Sequence, residues 1–277
     1  MSTILAPATT PTTISGGTAL RVTQARVLLS EWTKFRSLRS TVSTLLIAVV
    51  LMIGLGAMFA AITASQATGF QPGATAISTS LTGTFFAQLA VGVLGVLLIT
   101  GEYSTGMIRS SLTVVPSRLP MLWGKLAVFA GTVFLTMLAA SFTSFFVGQA
   151  LLSGKHLDAS LSDPGALRSV FGAALYLTVA GLTATAIGAL LRNTAAAITT
   201  VVAVFFVIPP LTNLLPMSLT DHFVQYLPSN AGAVLLDGTF GVAHPLTPWT
   251  GFAVMCGYAV VLIGSAAWRL RRVDALT

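Results

Sequence analysis

Six uninterrupted apolar stretches dominate this chain, over residues 42–64, 81–100, 122–149, 170–191, 195–215 and 249–268. Each has the length of a membrane-crossing helix, which needs about 20 largely apolar residues. Their interiors hold no Asp, Glu, Lys or Arg except Lys125, near the start of the third, whose long side chain is expected to snorkel to the surface. A soluble alternative fails on charge. Only 8% of the 277 residues are charged, against about 25% in soluble domains, too few to cover a globule of this size. A hydrophobic content of 55% equally excludes a disordered chain. The expected fold class is therefore all-α: a polytopic membrane protein with six transmembrane helices, forming a single transmembrane domain over residues 20–277. Residues 1–19 are rich in Thr, Ser, Pro and Gly and uncharged. They lack the basic and apolar regions of a signal peptide and read as a disordered tail.

The loop charges give the expected orientation. Arg21, Arg26, Lys34, Arg36 and Arg39 precede the first stretch, and Arg109, Arg118 and Lys125 lie around the second connection. Arg192 fills the very short fourth connection, and Arg269, Arg271 and Arg272 form the tail. The alternate connections hold only Lys155 and Arg168. Twelve basic residues against two place both termini in the cytoplasm by the positive-inside rule. The net charge of +7 is thus membrane orientation; a nucleic-acid surface would cluster its basic residues on one soluble face.

Catalytic chemistry is missing from the sequence. His156, His222 and His244 are far apart and have no Cys or carboxylate at metal-ligand spacing. The lone Cys256 sits in an apolar stretch and cannot form an internal disulfide. Gly148-Gln-Ala-Leu-Leu-Ser-Gly154-Lys155-His156 imitates a phosphate loop but has five residues between its glycines where four are required, and ends in His. No ionisable group stands at a bilayer midplane, where a proton-coupled carrier would place one, and no filter loop is visible. Sodium coupling through backbone carbonyls stays open. The glycine pairs Gly54/Gly56, Gly92/Gly95, Gly181/Gly188 and Gly257/Gly264 serve either close packing within the bundle or a seam between two copies.

Two cytoplasmic elements read as docking surfaces. Over residues 20–39 (LRVTQARVLLSEWTKFRSLR), Val22, Ala25, Leu28, Leu29, Trp32 and Phe35 share one helical face, with Arg26, Ser30, Lys34 and Ser37 opposite. This is the pattern of an amphipathic helix in the membrane interface, anchored by Trp32 and Phe35. Arg36 and Arg39 would meet anionic lipid. Glu31 and Lys34, three apart on the polar side, are positioned to pair, with Val27 and Leu38 as apolar misfits beside them. The second element is residues 101–125. Gly101 is expected to end the second span, Pro116 and Pro120 bound a short segment, and Glu102 is one of only two glutamates in the chain.

Ser30-Glu31-Trp32-Thr33-Lys34-Phe35-Arg36-Ser37-Leu38-Arg39-Ser40-Thr41 resembles the lead-in segment of permease subunits of bacterial type-two ABC exporters, especially those of high-GC bacteria. Glu102-Tyr103, Gly106-Met107-Ile108-Arg109, Leu112, Pro116, Arg118 and Lys125 are similar to the loop after their second span. Leu227-Pro228-Ser229-Asn230-Ala231-Gly232, Pro248-Trp249-Thr250-Gly251 and Arg271-Arg272-Val273-Asp274-Ala275 also look alike. Met107 and Val273 depart from the pattern, which commonly has Thr and a basic residue there.

The resemblance, which runs from about residue 20 to 275, implies a permease in the bacterial plasma membrane, without catalysis of its own. It would pair with a second copy or homologue and with two ABC ATPase subunits that bind ATP and Mg, leaving no cofactor or metal in this chain. Residues 20–39 would be the ATPase-facing interface helix, contacting through Glu31 and Lys34. Residues 102–119 would form the coupling helix, with Glu102, Tyr103, Gly106, Arg109, Pro116 and Arg118 serving ATPase contact or coupling. Glu102 would sit at the contact, and Arg109 and Arg118 would bind the ATPase surface or lipid phosphate. Outward residues 216–247 would include a re-entrant or capping hairpin, its short helix over 230–237 capped by Ser229 and stopped by Gly238. The expected cargo is an apolar or amphipathic compound such as a drug, lipid or peptide, exported from the cell. The competing readings are a scaffold or sensor subunit of an ATPase complex and an intramembrane enzyme.

Overall fold

The computed structural model describes residues 24–66, 74–104, 118–212, 214, 223–236 and 244–272. Among these every regular element is helical: α1 (Gln24–Ser37), α2 (Arg39–Ser65), α3 (Ala74–Ser80), α4 (Gly83–Ser104), α5 (Arg118–Ser153), α6 (Ala166–Leu191), α7 (Thr194–Val202), α8 (Ile208–Thr212), α9 (Pro228–Ala233) and α10 (Pro248–Arg272). Six units are long and apolar enough to cross a membrane: α2, α3 with α4, α5, α6, α7 with α8, and α10. They coincide with the six apolar runs of the sequence. The expected tail at residues 1–19 lies outside the described residues.

The central helix is α6. In its most apolar stretch 72% of residues are buried, against 17% in Thr194–Thr212 and 22% in Arg39–Ser65 and Pro248–Arg272. Its sequence explains the position. Lipid tails are as apolar as leucine, so helices in a bilayer associate where small residues let backbones approach, and α6 is built from Ala, Gly and Thr. A Cβ on Gly181 would meet the Phe129 ring at 2.7 Å and Val91 at 2.9 Å, and one on Gly95 would strike the Gly181 carbonyl. The threonines Thr178, Thr183 and Thr185 return their hydroxyls to the carbonyls four residues back, at 2.7–2.8 Å. Polar side chains thus enter an apolar interior already satisfied. A Cβ on Gly257 or Gly264, by contrast, would meet nothing within 4 Å, and both lie on the exposed face of α10.

The sequence expectations shift at the ends of several helices. The second span starts earlier than residue 81, at Thr75, and turns at Leu81 and Thr82 before α4. There the Ser144 hydroxyl donates to the carbonyl of Ser80 (2.7 Å), and the Gln149 amide donates to the Ser80 hydroxyl (2.9 Å). Gly101 does not end the span, because α4 continues to Ser104. A glycine with open space around it costs a helix some entropy but does not terminate it. Pro120 falls in the first turn of α5, where a missing N–H is harmless.

The fifth span contains a π-helical turn, Ala203–Val207, between α7 and α8. The Ile208 N–H reaches back five residues to the Ala203 carbonyl. Pro209 and Pro210 follow, and neither supplies an N–H to the preceding turn. Residues 148–153 of the phosphate-loop imitation are simply the end of α5. On the side opposite the charged ends, α9 runs into a 3-10 turn over Val234–Leu236, and Pro228–Leu236 is buried throughout. The expected helix there exists but begins two residues early, on Pro228. Leu227, not Ser229, occupies the capping position, and no side chain caps it. Gly238 lies outside the described residues.

Candidate functional site

The charged end of the bundle is organised by α1. Leu38 is the only residue between α1 and α2 that leaves helical geometry (φ −79°, ψ 108°). On α1, Glu31 and Phe35 are one turn apart and face Lys125 and Phe129, themselves one turn apart on α5. The Glu31 carboxylate accepts from Lys34 Nζ at 2.8 Å and lies 3.1 Å from Lys125 Nζ. The Phe35 and Phe129 rings meet edge to face, with centroids 6.5 Å apart. Phe129 is also the ring that fills the space beside Gly181, so a continuous line of packed groups runs from α1 through α5 to the central helix.

Glu31 is 5% exposed and Lys125 4%. This corrects the expectation that Lys125 snorkels to the surface: its ammonium is turned into the bundle and neutralised there. Burial by itself would push the Glu31 carboxyl upward; the Lys125 charge and the hydrogen bonds from both lysines outweigh it and hold the carboxyl below its usual range. Glu31 is therefore an ionised carboxylate between two ammonium groups.

The face of α1 differs from the one its apolar periodicity describes. Leu28, Leu29 and Trp32 are exposed, whereas Glu31, from the polar side, is turned inward with Phe35. Hydrophobic periodicity places apolar groups together, but a buried lysine elsewhere in the fold demands a counter-ion, and that demand sets the rotation of α1. Of the two expected interface anchors, Phe35 packs inside the bundle and Trp32 remains outside.

Further round the same end, the Arg192 guanidinium stands 5.4 Å above the Tyr103 ring. Arg192 adopts a left-handed conformation (φ 54°) in closing α6, and Asn193 then caps α7 by accepting the Ala196 N–H at 3.0 Å. Arg269 donates to the Leu190 carbonyl, one of the acceptors left over at the end of α6. Arg272 lies over the Trp268 ring at 4.8 Å. The basic residues that mark orientation in the sequence also tie α4, α6 and α10 together.

The structure brings Glu31, Lys34, Phe35 and Trp32 to one helix and joins the first three to α5, directly or through the shared carboxylate. Tyr103 is at the same end, held under Arg192. Glu102 lies in the last turn of α4 and Arg118 opens α5, but their side chains are outside the described residues, as are Gly106, Arg109 and Pro116 altogether. Sequence reasoning paired Glu31 with Lys34 but missed Lys125 and Phe129. The available signal was stoichiometric: a lysine inside an apolar run needs an acidic partner, and the chain has only two glutamates. Among the described residues no group of three or more His, Cys, Asp or Glu is placed to hold a metal. Searches against family models and curated proteins find no match to this chain.

Proposed function

We propose that this chain is the membrane-spanning permease subunit of an ATP-driven exporter of the type-two ABC class. Both termini lie in the cytoplasm of a bacterial cell, and separate ATPase subunits bind beneath the bundle. The observation that carries the reading is the Glu31–Lys125 junction. The helix that the sequence resemblance makes ATPase-facing is fixed by a buried ion pair and an aromatic contact to the third span. A displacement of α1 is therefore passed to α5 and, through Phe129, to α6.

Three further features support it. Six helices have spanning length. The one charge within their apolar runs, Lys125, is already held in an ion pair with Glu31, which agrees with a bundle driven by a partner. The exposed Leu28, Leu29 and Trp32 leave an apolar strip on α1 suited to the headgroup region. In this mechanism ATP binding closes the ATPase dimer, residues 102–119 and α1 move as levers, and two permease halves rock open to the outside. Substrate and nucleotide then favour different states of one bistable element, as coupling requires. Within it Glu31 is a positioning residue acting through Lys125, and Glu102 is the contact with the ATPase.

Purification of the full chain from its native membrane tests this. An ATP-hydrolysing subunit should co-purify in fixed proportion, and Glu102→Lys should abolish its coupling to export while membrane insertion stays normal. Purified chain that hydrolyses nucleotide with no other polypeptide present refutes the reading. An ATPase partner with no vectorial movement of any compound makes the chain a scaffold or sensor subunit instead.

A further inference from the structure

A cavity of about 280 Å³ lies between the start of α4, the π-helical turn with its two prolines, and α9. Its walls are mainly ring surfaces, Phe85, Phe205, Phe206 and Pro209, together with three buried polar side chains, Gln88, Ser229 and Asn230. Gln88 is 3% exposed and Ser229 7%. Buried polar side chains normally find partners, and Asn230 beside them does, donating to the Val224 carbonyl at 3.0 Å. Among the described residues Gln88 Nε2 and the Ser229 hydroxyl do not.

The orientation of the Gln88 amide is fixed from behind. Tyr176 is fully buried, and its hydroxyl donates to Gln88 Oε1 at 2.7 Å. A phenol has one hydrogen to donate. Turning the amide over would leave that hydrogen stranded in an apolar interior, so the carbonyl oxygen stays on Tyr176 and the N–H groups are left for the cavity. Phe205 and Phe206 belong to the π-helical turn, a feature frequent at functional sites. The rim residues Phe85, Phe206 and Pro209 are half-buried and Pro210 is exposed, so the cavity opens on the flank of the bundle.

We propose that this cavity is a binding site for a small, uncharged, ring-bearing molecule whose carbonyl or ether oxygen accepts hydrogen bonds from Gln88 Nε2 and Ser229 Oγ. Among the described residues its lining is apolar or neutral, which suits an uncharged guest. Its volume falls just short of the usual range of ligand sites, about 300–1,000 Å³, and so suits a small guest. As a cargo site it rests on the permease reading above; as a binding site it stands on the cavity alone, and its test needs no ATPase.

The full chain in nanodiscs of its native lipids is photolabelled with benzophenone, a diaryl ketone, and the adducts are mapped by mass spectrometry. Labelling should saturate and concentrate on residues 85–88, 205–210 and 228–236. Fluorenone, a flat ring system with the same carbonyl, should suppress it at about tenfold lower concentration than fluorene, its counterpart without oxygen, the worth of one good hydrogen bond. Gln88→Met should abolish that preference, and Ser229→Ala should reduce it severalfold. If Gln88→Met does not yield monodisperse protein, the wild-type competition and Ser229→Ala decide. Unsaturable labelling spread along α2 and α10, equal competition by fluorene, or a folded Gln88→Met protein with the preference intact overturns the proposal. Failure here leaves the permease reading to its own test, because neither measurement depends on the other.

Discussion

The two ends of this bundle treat buried polar groups in opposite ways. At the charged end, Glu31 has one carboxylate and two lysines around it, with a lateral aromatic contact to lock the geometry. At the far end, Gln88 uses its oxygen on Tyr176 and leaves its N–H groups over, and the Ser229 hydroxyl has no partner among the described residues. Both arrangements are costly to bury. The first is closed upon itself and acts as a hold between helices. The second leaves donors over among the described residues and gives the proposed site its polarity.

The comparison breaks most visibly at Glu31. Replacing it with Ala strands the Lys125 ammonium in the bundle, and removing one member of a buried pair costs about 3–5 kcal/mol. Thermal unfolding in detergent should show a large drop in melting temperature for Glu31→Ala. The paired change Glu31→Leu with Lys125→Met should recover most of it, since apolar replacement of both members removes the desolvation cost as well. Wild-type melting by the single variant would show that the junction holds nothing.

The far end should behave differently. Gln88→Leu strands the Tyr176 hydroxyl and should cost about 1–3 kcal/mol. Adding Tyr176→Phe should return the protein close to, or above, wild-type stability, because both members of the hydrogen bond and the unpaired amide disappear together. A double variant as unstable as Gln88→Leu alone would mean that Gln88 is there for the fold and would remove the contrast.

A gentler probe is pH. The carboxyl of Glu31 is held below its usual value of 4.5 in the folded protein. The stability it contributes is therefore fully present above about pH 4.5 and is lost as pH falls through the lowered folded value. The gap in melting temperature between wild type and Glu31→Gln should be constant near neutrality and close as the solution is acidified below that point. A gap that does not change would mean that Glu31 keeps its proton at neutral pH.

The spans were legible because the bilayer imposes one requirement, an apolar run of sufficient length, and no tertiary detail enters it. Helix ends were less so. Gly101 reads as a stop, but α4 passes through it, with no neighbour where a side chain would stand. Ser229 reads as a cap, but Pro228 already starts the helix and frees the serine for another use. The pairing of Glu31 with Lys34 was readable from three-residue spacing, whereas Lys125 depends on how α5 folds back beside α1. The Gln88–Tyr176 bond and the cavity it faces link three separate spans with α9, and no local pattern announces them. The sequence motif for the outward segment did place a helix beside it.

Only the two soft torsions of Leu38 interrupt an otherwise continuous path from α1 into α2. Leu38 is in effect a pivot pin, and the ion pair to α5 is a strut fixed on the other side of it. A force applied anywhere along α1 then has one way to be relieved, by swinging about that pin and drawing the strut with it. Slack that a longer connector would absorb is absent, so the first and third spans feel the same pull together.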